Sequence, residues 1–406
     1  MKVLMFGWEF PPFNTGGLGT ACYGLTKGLA NNGIDVTFVL PHMPEQAKSE
    51  FVKLISAGNL SKIKLRGLKT KLAGYMTSEE YSKSILLRNI PQKQREIYGR
   101  DLFAEVYRYS QKAGLIARHE PHDVIHCHDW MTYQAGIKAK KISGKPLVIH
   151  VHATEFDRTG GNGVNQVVYN LEKQGMHVAD SIIAVSHFTK NKIVDHYGIP
   201  PDKIQVVHNA IEFNDNQFSY EDFGIKQSNK VVLFLGRITL QKGPDYFLYA
   251  AKRVLDIDPT IRFIIAGSGD MAASMIEKAA DLGIADKVLF SGFLKGPDID
   301  KAYQMADLYV MPSVSEPFGL TPLEAMRNKT PVIISKQSGV SEVITNCLKV
   351  DFWDIEKMAS QIIGVLKYQE AHESLKENGF SEVKKFSWDI PARKCIDTYK
   401  QVLGAL

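Results

Sequence analysis

Two glutamates separated by seven residues stand in the string Ser315-Glu316-Pro317-Phe318-Gly319-Leu320-Thr321-Pro322-Leu323-Glu324-Ala325-Met326. Earlier in the chain, an arginine and a lysine five apart follow an apolar run, in Gly236-Arg237-Ile238-Thr239-Leu240-Gln241-Lys242-Gly243. Arginine offers a rigid fork of donors and lysine a mobile point charge, a complementary pair for neutralising a pyrophosphate. When a glycosidic bond to a pyrophosphate breaks, negative charge builds on the leaving oxygen. Cations placed there stabilise the transition state more than the ground state. Carboxylates, for their part, accept hydrogen bonds from sugar and ribose hydroxyls. Alone, two cations at a strand end are ordinary surface residues; together with the glutamates they point to an enzyme acting on a nucleotide sugar.

Pro317 and Gly319 impose an irregular turn, so the helix is expected to start near Gly319 or Leu320. Glu324 then falls about one turn into it and Glu316 in the loop before, both near the positive end of the helix dipole. The same two carboxylates are also consistent with the acid and base of a hydrolase. A second anion site is suggested by Gly7-Trp8-Glu9-Phe10-Pro11-Pro12-Phe13-Asn14-Thr15-Gly16-Gly17-Leu18-Gly19, where paired glycines precede a helix-like stretch. There free N–H groups face an incoming anion. Taken alone, that loop is equally a tight strand-to-helix turn.

Histidines come in two alternating pairs, His126-Cys127-His128 and His150-Val151-His152. Alternate residues on a strand share a face, so each pair resembles two metal ligands, but no third ligand has convincing spacing and no metal is expected. His152, at the end of its strand, is the functional candidate, because open parallel sheets bind ligands beyond those ends. Asp298-Ile299-Asp300 opens a helix-like stretch and reads as capping. Gly267-Ser268-Gly269-Asp270 matches a dinucleotide fingerprint only in part, and a loop beside a bound nucleotide explains it.

These residues need strands to carry them. Apolar runs at 3–6, 34–40, 123–127, 146–151, 181–185 and 203–207, then 231–235, 261–266, 287–291, 308–311 and 331–334, alternate with amphipathic stretches. That is the pattern of parallel α/β sheets. At 406 residues the chain is too long for one ordinary core. The polar stretch 214–222 is taken as the boundary, giving a first domain over 1–213 and a second over 214–387, with a helix over 388–406 returning to the first. The apolar fraction is 44% and the charged fraction 23%, as in soluble globular proteins. A net charge of +5 gives no reason to expect nucleic acid. Cys22, Cys127, Cys347 and Cys395 show no CxxC pairing and are expected to be buried thiols in a reducing compartment. The short apolar N-terminus is a first strand rather than a signal peptide, so a cytoplasmic protein is expected.

Residues 45–110 break the alternation, with thirteen Lys/Arg against seven Asp/Glu. The basic run over 48–71 reads either as a dock for an anionic membrane surface or acidic polymer, or as a solvated insertion, the favoured reading.

Taken together, the strings resemble the retaining glycosyltransferases of family 4, close to bacterial glycogen and starch synthases, over nearly the whole chain. The resemblance implies a GT-B fold: two Rossmann-like parallel-sheet domains facing a cleft, with a C-terminal helix crossing back. It implies that the second domain binds a nucleoside-diphosphate sugar (ADP-, UDP- or GDP-linked) and the first serves the acceptor, an oligosaccharide, glucan or lipid, with no cofactor. Carried over, Arg237 and Lys242 hold the diphosphate, Gly16 and Gly17 a phosphate, Glu316 the donor sugar and Glu324 the ribose. His152 takes the sugar's 6-hydroxyl side, and Phe318, Gly319 and Leu320 line the donor site. His128, Asp129 and Trp130, the string closest to glycogen synthases, fall on the acceptor side. Asn14 departs from the pattern, standing where those synthases usually carry lysine, and His152-Ala153-Thr154-Glu155-Phe156-Asp157-Arg158 looks more like general family 4 members.

The expected reaction is metal-independent, retaining transfer of a hexosyl group, with glucosyl foremost, to an acceptor hydroxyl, a glucan chain being one candidate. A nucleotide-sugar epimerase or phosphorylase on the same fold is the alternative enzyme, and a non-catalytic polymer-binding homologue the alternative to an enzyme.

Overall fold

Five-residue runs such as Val231–Leu235, apolar at every position, form strands that can be buried on both faces, which only helices on both sides of a parallel sheet provide. The structure is a computed structural model and describes residues 1–11, 16–42, 49–57, 102–161, 163–213 and 229–404. The chain divides into two compact units, Met1–Ala210 with Trp388–Leu406, and Ile211–Ser387. The stretch 214–222, most of the basic 48–71 run and Asn14 lie outside the described residues.

The first unit holds β1 (Lys2–Phe6), β2 (Asp35–Leu40), β3 (Lys53–Ser56), β4 (Val124–His128), β5 (Leu147–Val151), β6 (Ser181–Ala184) and β7 (Ile204–Val206). They pair in parallel in the order β3-β2-β1-β4-β5-β6-β7. The second unit holds β8 (Val231–Leu235), β9 (Arg262–Ala266), β10 (Val288–Gly292), β11 (Leu308–Met311), β12 (Val332–Ser335) and β13 (Leu348–Val350). Their order, again all parallel, is β10-β9-β8-β11-β12-β13. Both are Rossmann-like sheets whose strand order reverses once, between β1 and β4 and between β8 and β11. In such sheets a crevice opens beyond the carboxyl ends of the two strands at the reversal. The segments leaving β1, β4, β8 and β11 are therefore the places to look for chemistry.

The last helix, Asp389–Val402, packs on helix Gly17–Asn31 of the first unit. Close approach explains the glycines there: a Cβ on Gly24 would meet the Trp388 ring at 2.1 Å, and one on Gly28 the Trp388 carbonyl at 2.5 Å. Tyr399 on this last helix reaches the core of the first unit, its hydroxyl 2.6 Å from His126 Nδ1.

Candidate active site

In the second unit, β8 and β11 are neighbours, and each releases a polar segment at its carboxyl end. After β8 come Arg237 and the turn Leu240–Lys242. Gln241 joins this turn to the segment after β11, its carbonyl accepting from the Val314 N–H at 2.9 Å, while its side-chain oxygen accepts from Arg237 Nη2 at 3.1 Å. Glu316 is strapped on both sides by backbone bonds, donating to the Gln337 carbonyl and accepting from the Gly339 N–H, each at 2.9 Å. Its buried carboxylate forms an ion pair with Lys242 and accepts from Ser313 Oγ at 3.3 Å. Arg237, Lys242 and Glu316 thus gather at one strand reversal, Lys242 paired with the carboxylate and Arg237 tied to the same turn through Gln241.

Helix Leu320–Arg327 begins after Gly319, with Phe318 and Gly319 buried and Leu320 half-buried. Glu324 lies one turn in and accepts from the Tyr303 hydroxyl at 3.1 Å. Burial pushes its carboxyl above the ordinary range, opposed by the Arg327 charge and the tyrosine hydrogen bond. The Gly267–Gly269 loop packs directly on the segment carrying Arg237: a Cβ on Gly267 would meet the Gly236 carbonyl at 1.8 Å, and one on Gly269 the Ile238 carbonyl at 2.1 Å. Asp298 and Asp300 make no capping bond, contrary to expectation; Gly296 is the N-cap, and Asp300 accepts instead from Arg327 and Asn328. The glycine leaves no side chain at the cap, and the arginine one helix away claims the carboxylate.

In the first unit, Gly16 occupies the N-cap of helix Gly17–Asn31, where the first N–H groups of a helix lack intrahelical partners. Beyond β4, Asp129 turns the chain with φ 60°, ψ 168°, a left-handed conformation that a non-glycine residue adopts at a cost. Its carboxylate accepts from the backbone N–H of His152 at 2.7 Å and of Ala153 at 3.3 Å. His128, Asp129 and Trp130 are fully buried. They act on the segment that carries His152 and on the core rather than presenting side chains to solvent.

After His152, helix Glu155–Arg158 is set in a buried ionic network. Arg158 Nη1 donates to Glu155 at 3.2 Å and to Glu172 at 2.9 Å, and Nη2 to the Ala153 carbonyl at 3.1 Å. Tyr197 donates its hydroxyl to Glu172, and Lys192 pairs with Asp157 at 2.6 Å. None of these partners was identified from sequence. Glu172 and Tyr197 come from helices 14 and 39 residues past Arg158 (172 − 158 and 197 − 158), with no spacing to betray them.

The two histidine pairs lie side by side. His128 and His150 are register partners on β4 and β5, and His126, His128, His150 and His152 form one buried, stacked array. Burial lowers the pKa of all four, to about 3 for His126 and His152, so all are neutral imidazoles. No third ligand has convincing spacing along the chain, but a third ring nitrogen comes close across the sheet. Ring nitrogens of His126, His128 and His150 lie within 4.8 Å of one another, as do the ligand atoms of Cys22, His128 and His152.

Two Rossmann-like parallel sheets, each with a polar segment at its strand-order reversal, make up a GT-B fold. The profile of Glycosyltransferase Family 4 matches residues 15–215, and that of Glycosyl transferases group 1 matches residues 215–382. An uncharacterized glycosyltransferase of Methanocaldococcus jannaschii is 32% identical over 98% of this chain and 98% of its own. A D-inositol 3-phosphate glycosyltransferase of Segniliparus rotundus is 30% identical over 70% of this chain and 68% of its own. A glycogen synthase of Mycobacterium tuberculosis is 27% identical over 85% and 80%. Among solved structures, a sucrose-phosphate synthase of Thermosynechococcus elongatus aligns over 100% of both chains with a TM-score of 0.76 at 18% identity. The chain belongs to the glycosyltransferases that join a family 4 domain to a group 1 domain. Among the described residues no helix is long and apolar enough to cross a membrane.

Proposed function

We propose that this glycosyltransferase moves a hexosyl group, glucosyl foremost, from a nucleoside-diphosphate sugar to an acceptor hydroxyl with retention of configuration. The observation that carries the reading is the convergence of Arg237, Lys242 and Glu316 at the β8/β11 reversal. In this reading, residues 214–387 form the donor domain, and residues 1–213 with 388–406 form the acceptor domain.

Lys242 is held by Glu316 before any substrate arrives. A diphosphate binding at Arg237 competes for that lysine and frees the Glu316 carboxylate to accept from a sugar hydroxyl. Glu324 takes the ribose, and its raised pKa suits a carboxyl shared between Tyr303 and a hydroxyl ligand. Phe318, Gly319 and Leu320 shape the donor site between the two glutamates. As the glycosidic bond lengthens, the two cations and the helix N-terminus at Gly16–Gly17 take up the growing phosphate charge. The departing oxygen deprotonates the incoming hydroxyl on the same face of the sugar, with an oxocarbenium-like species between. These fixed charges do the work a divalent ion would otherwise do at the diphosphate, so added Mg2+ is not required. His152 bonds the 6-hydroxyl side of the sugar, held in place by Asp129.

The acceptor follows the relatives only to a short list: glucan, as a glycogen synthase uses, or a phosphorylated polyol, as an inositol phosphate glycosyltransferase uses. The test is proton NMR of the product formed from an α-linked donor with maltooligosaccharide or with inositol phosphate, without divalent ions. An α-linked product with either acceptor supports the reading; a β-linked product, or dependence on added Mg2+, contradicts it.

A further inference from the structure

We propose that His126, His128 and His150 form a binding site for one borderline divalent transition-metal ion, Zn2+ by its ligand chemistry, inside the first unit. Each of the three presents a buried ring nitrogen with no protein partner among the described residues: Nε2 of His126, Nε2 of His128, and both nitrogens of His150. One ring nitrogen from each of the three lies within 4.8 Å of the other two. Buried polar groups in folded proteins are almost always satisfied, so three together in one core call for a common partner.

In two of the three, the opposite ring nitrogen carries the arrangement expected of a metal ligand. A ligating histidine almost always bonds its other nitrogen to a second group, which fixes the tautomer. His126 does so through Nδ1 to the Tyr399 hydroxyl at 2.6 Å, and His128 through Nδ1 to His152 Nε2 at 3.0 Å. Imidazole suits Zn2+, Cu and Ni rather than Mg2+ or Ca2+. With Zn–N bonds of about 2.0–2.1 Å the nitrogens would stand about 3.3 Å apart. The rings, stacked at centroid distances of 4.5–5.4 Å, therefore tilt inward on binding.

The overlapping set of Cys22, His128 and His152 is the poorer site. Its use would break the His128–His152 hydrogen bond, and burial together with the Asp129 and Glu9 carboxylates keeps the Cys22 thiol protonated. A metal on His128 Nε2 leaves the proton on Nδ1, donated to His152 Nε2. His152 then carries its own proton on Nδ1, as a donor to substrate. That last consequence rests on the role proposed for His152; the metal site does not.

The full-length protein, dialysed against a chelator, is titrated with Co2+ and then Zn2+. The expected result is one equivalent of Co2+ per chain with visible d–d bands, displaced by Zn2+. Tyr399→Phe weakens binding by about 10–100-fold, the usual effect of losing an outer partner, and the H126Q/H150Q double variant loses the stoichiometric site. Cys22→Ser retains it. No stoichiometric uptake by the wild type would overturn the site and assign the three nitrogens to buried water. Equal binding by the double variant, or loss of binding in Cys22→Ser, would also overturn it. Metal uptake is read without donor turnover, so its failure and that of the transferase reading are separate results.

Discussion

Alanine at both Arg237 and Lys242 is expected to lower kcat/KM for the donor by at least about 10³-fold while the protein stays folded. Removing a single donor from a developing oxyanion typically costs about 10²–10³ in rate. The two cations act on one diphosphate, so their losses are not expected to multiply fully. Arg237 is half-buried and bonded to Gln241 at the rim of the β8/β11 reversal, outside the apolar core of the second unit. Lys242 matters more for the fold, since its removal leaves the buried Glu316 carboxylate with Ser313. A modest fall in Tm is therefore expected from Lys242→Ala and a smaller one from Arg237→Ala. Far-UV circular dichroism separates loss of turnover from loss of structure. Unchanged kcat/KM in the folded double variant would remove these cations from the diphosphate.

The second large effect concerns stability. Arg158 is fully buried against the equally buried Glu155 and Glu172. Arg158→Met leaves two carboxylates in the core without their cation, and breaking a buried pair this way costs about 3–5 kcal/mol. For a unit of this size each kcal/mol moves Tm by about 2–4 °C, so a fall of roughly 10 °C is expected. Adding Glu172→Leu removes one stranded charge and should recover part of that loss, because replacing both partners by apolar groups is far cheaper than removing one. Thermal melts of the two variants decide this. A change in Arg158→Met below about 2 °C would show that the carboxylates protonate at little cost. Since Arg158 also donates to the Ala153 carbonyl, next to His152, the same variant should lower turnover even below its melting temperature.

Much of the fold was legible because parallel strands buried on both faces announce themselves as unbroken apolar runs. β8 and β11 were read to the residue, and the other strands that were read to within one residue at either end. The two strands the periodicity missed, β3 and β13, are sheet edges. Lys53-Leu54-Ile55-Ser56 and Leu348-Lys349-Val350 are short, carry charge and face solvent on one side, as edge strands do. In β3, Lys53 even serves as a surface partner to Glu120. Site residues were legible where chemistry and sequence neighbourhood coincide, as in Arg237 and Lys242. They were hidden where the fold brings distant residues together. Gln241 lies between the two cations with no spacing signal of its own, yet it joins the β8 turn to the β11 segment. Nothing in the spacing of His126 and His150 announces that β4 and β5 pair so as to stack them, because sequence spacing reports along a strand and not across a sheet.

The most direct measurement is nucleoside-diphosphate release from ADP-glucose, UDP-glucose, GDP-mannose and UDP-N-acetylglucosamine, each with and without acceptor, by wild-type protein and the Arg237/Lys242 double variant. Release from one donor by the wild type, raised by an acceptor hydroxyl and lost in the variant, is the predicted result. Silence from every donor in a folded wild-type protein, or equal release by the variant, would contradict a nucleotide-sugar transferase built on these two cations.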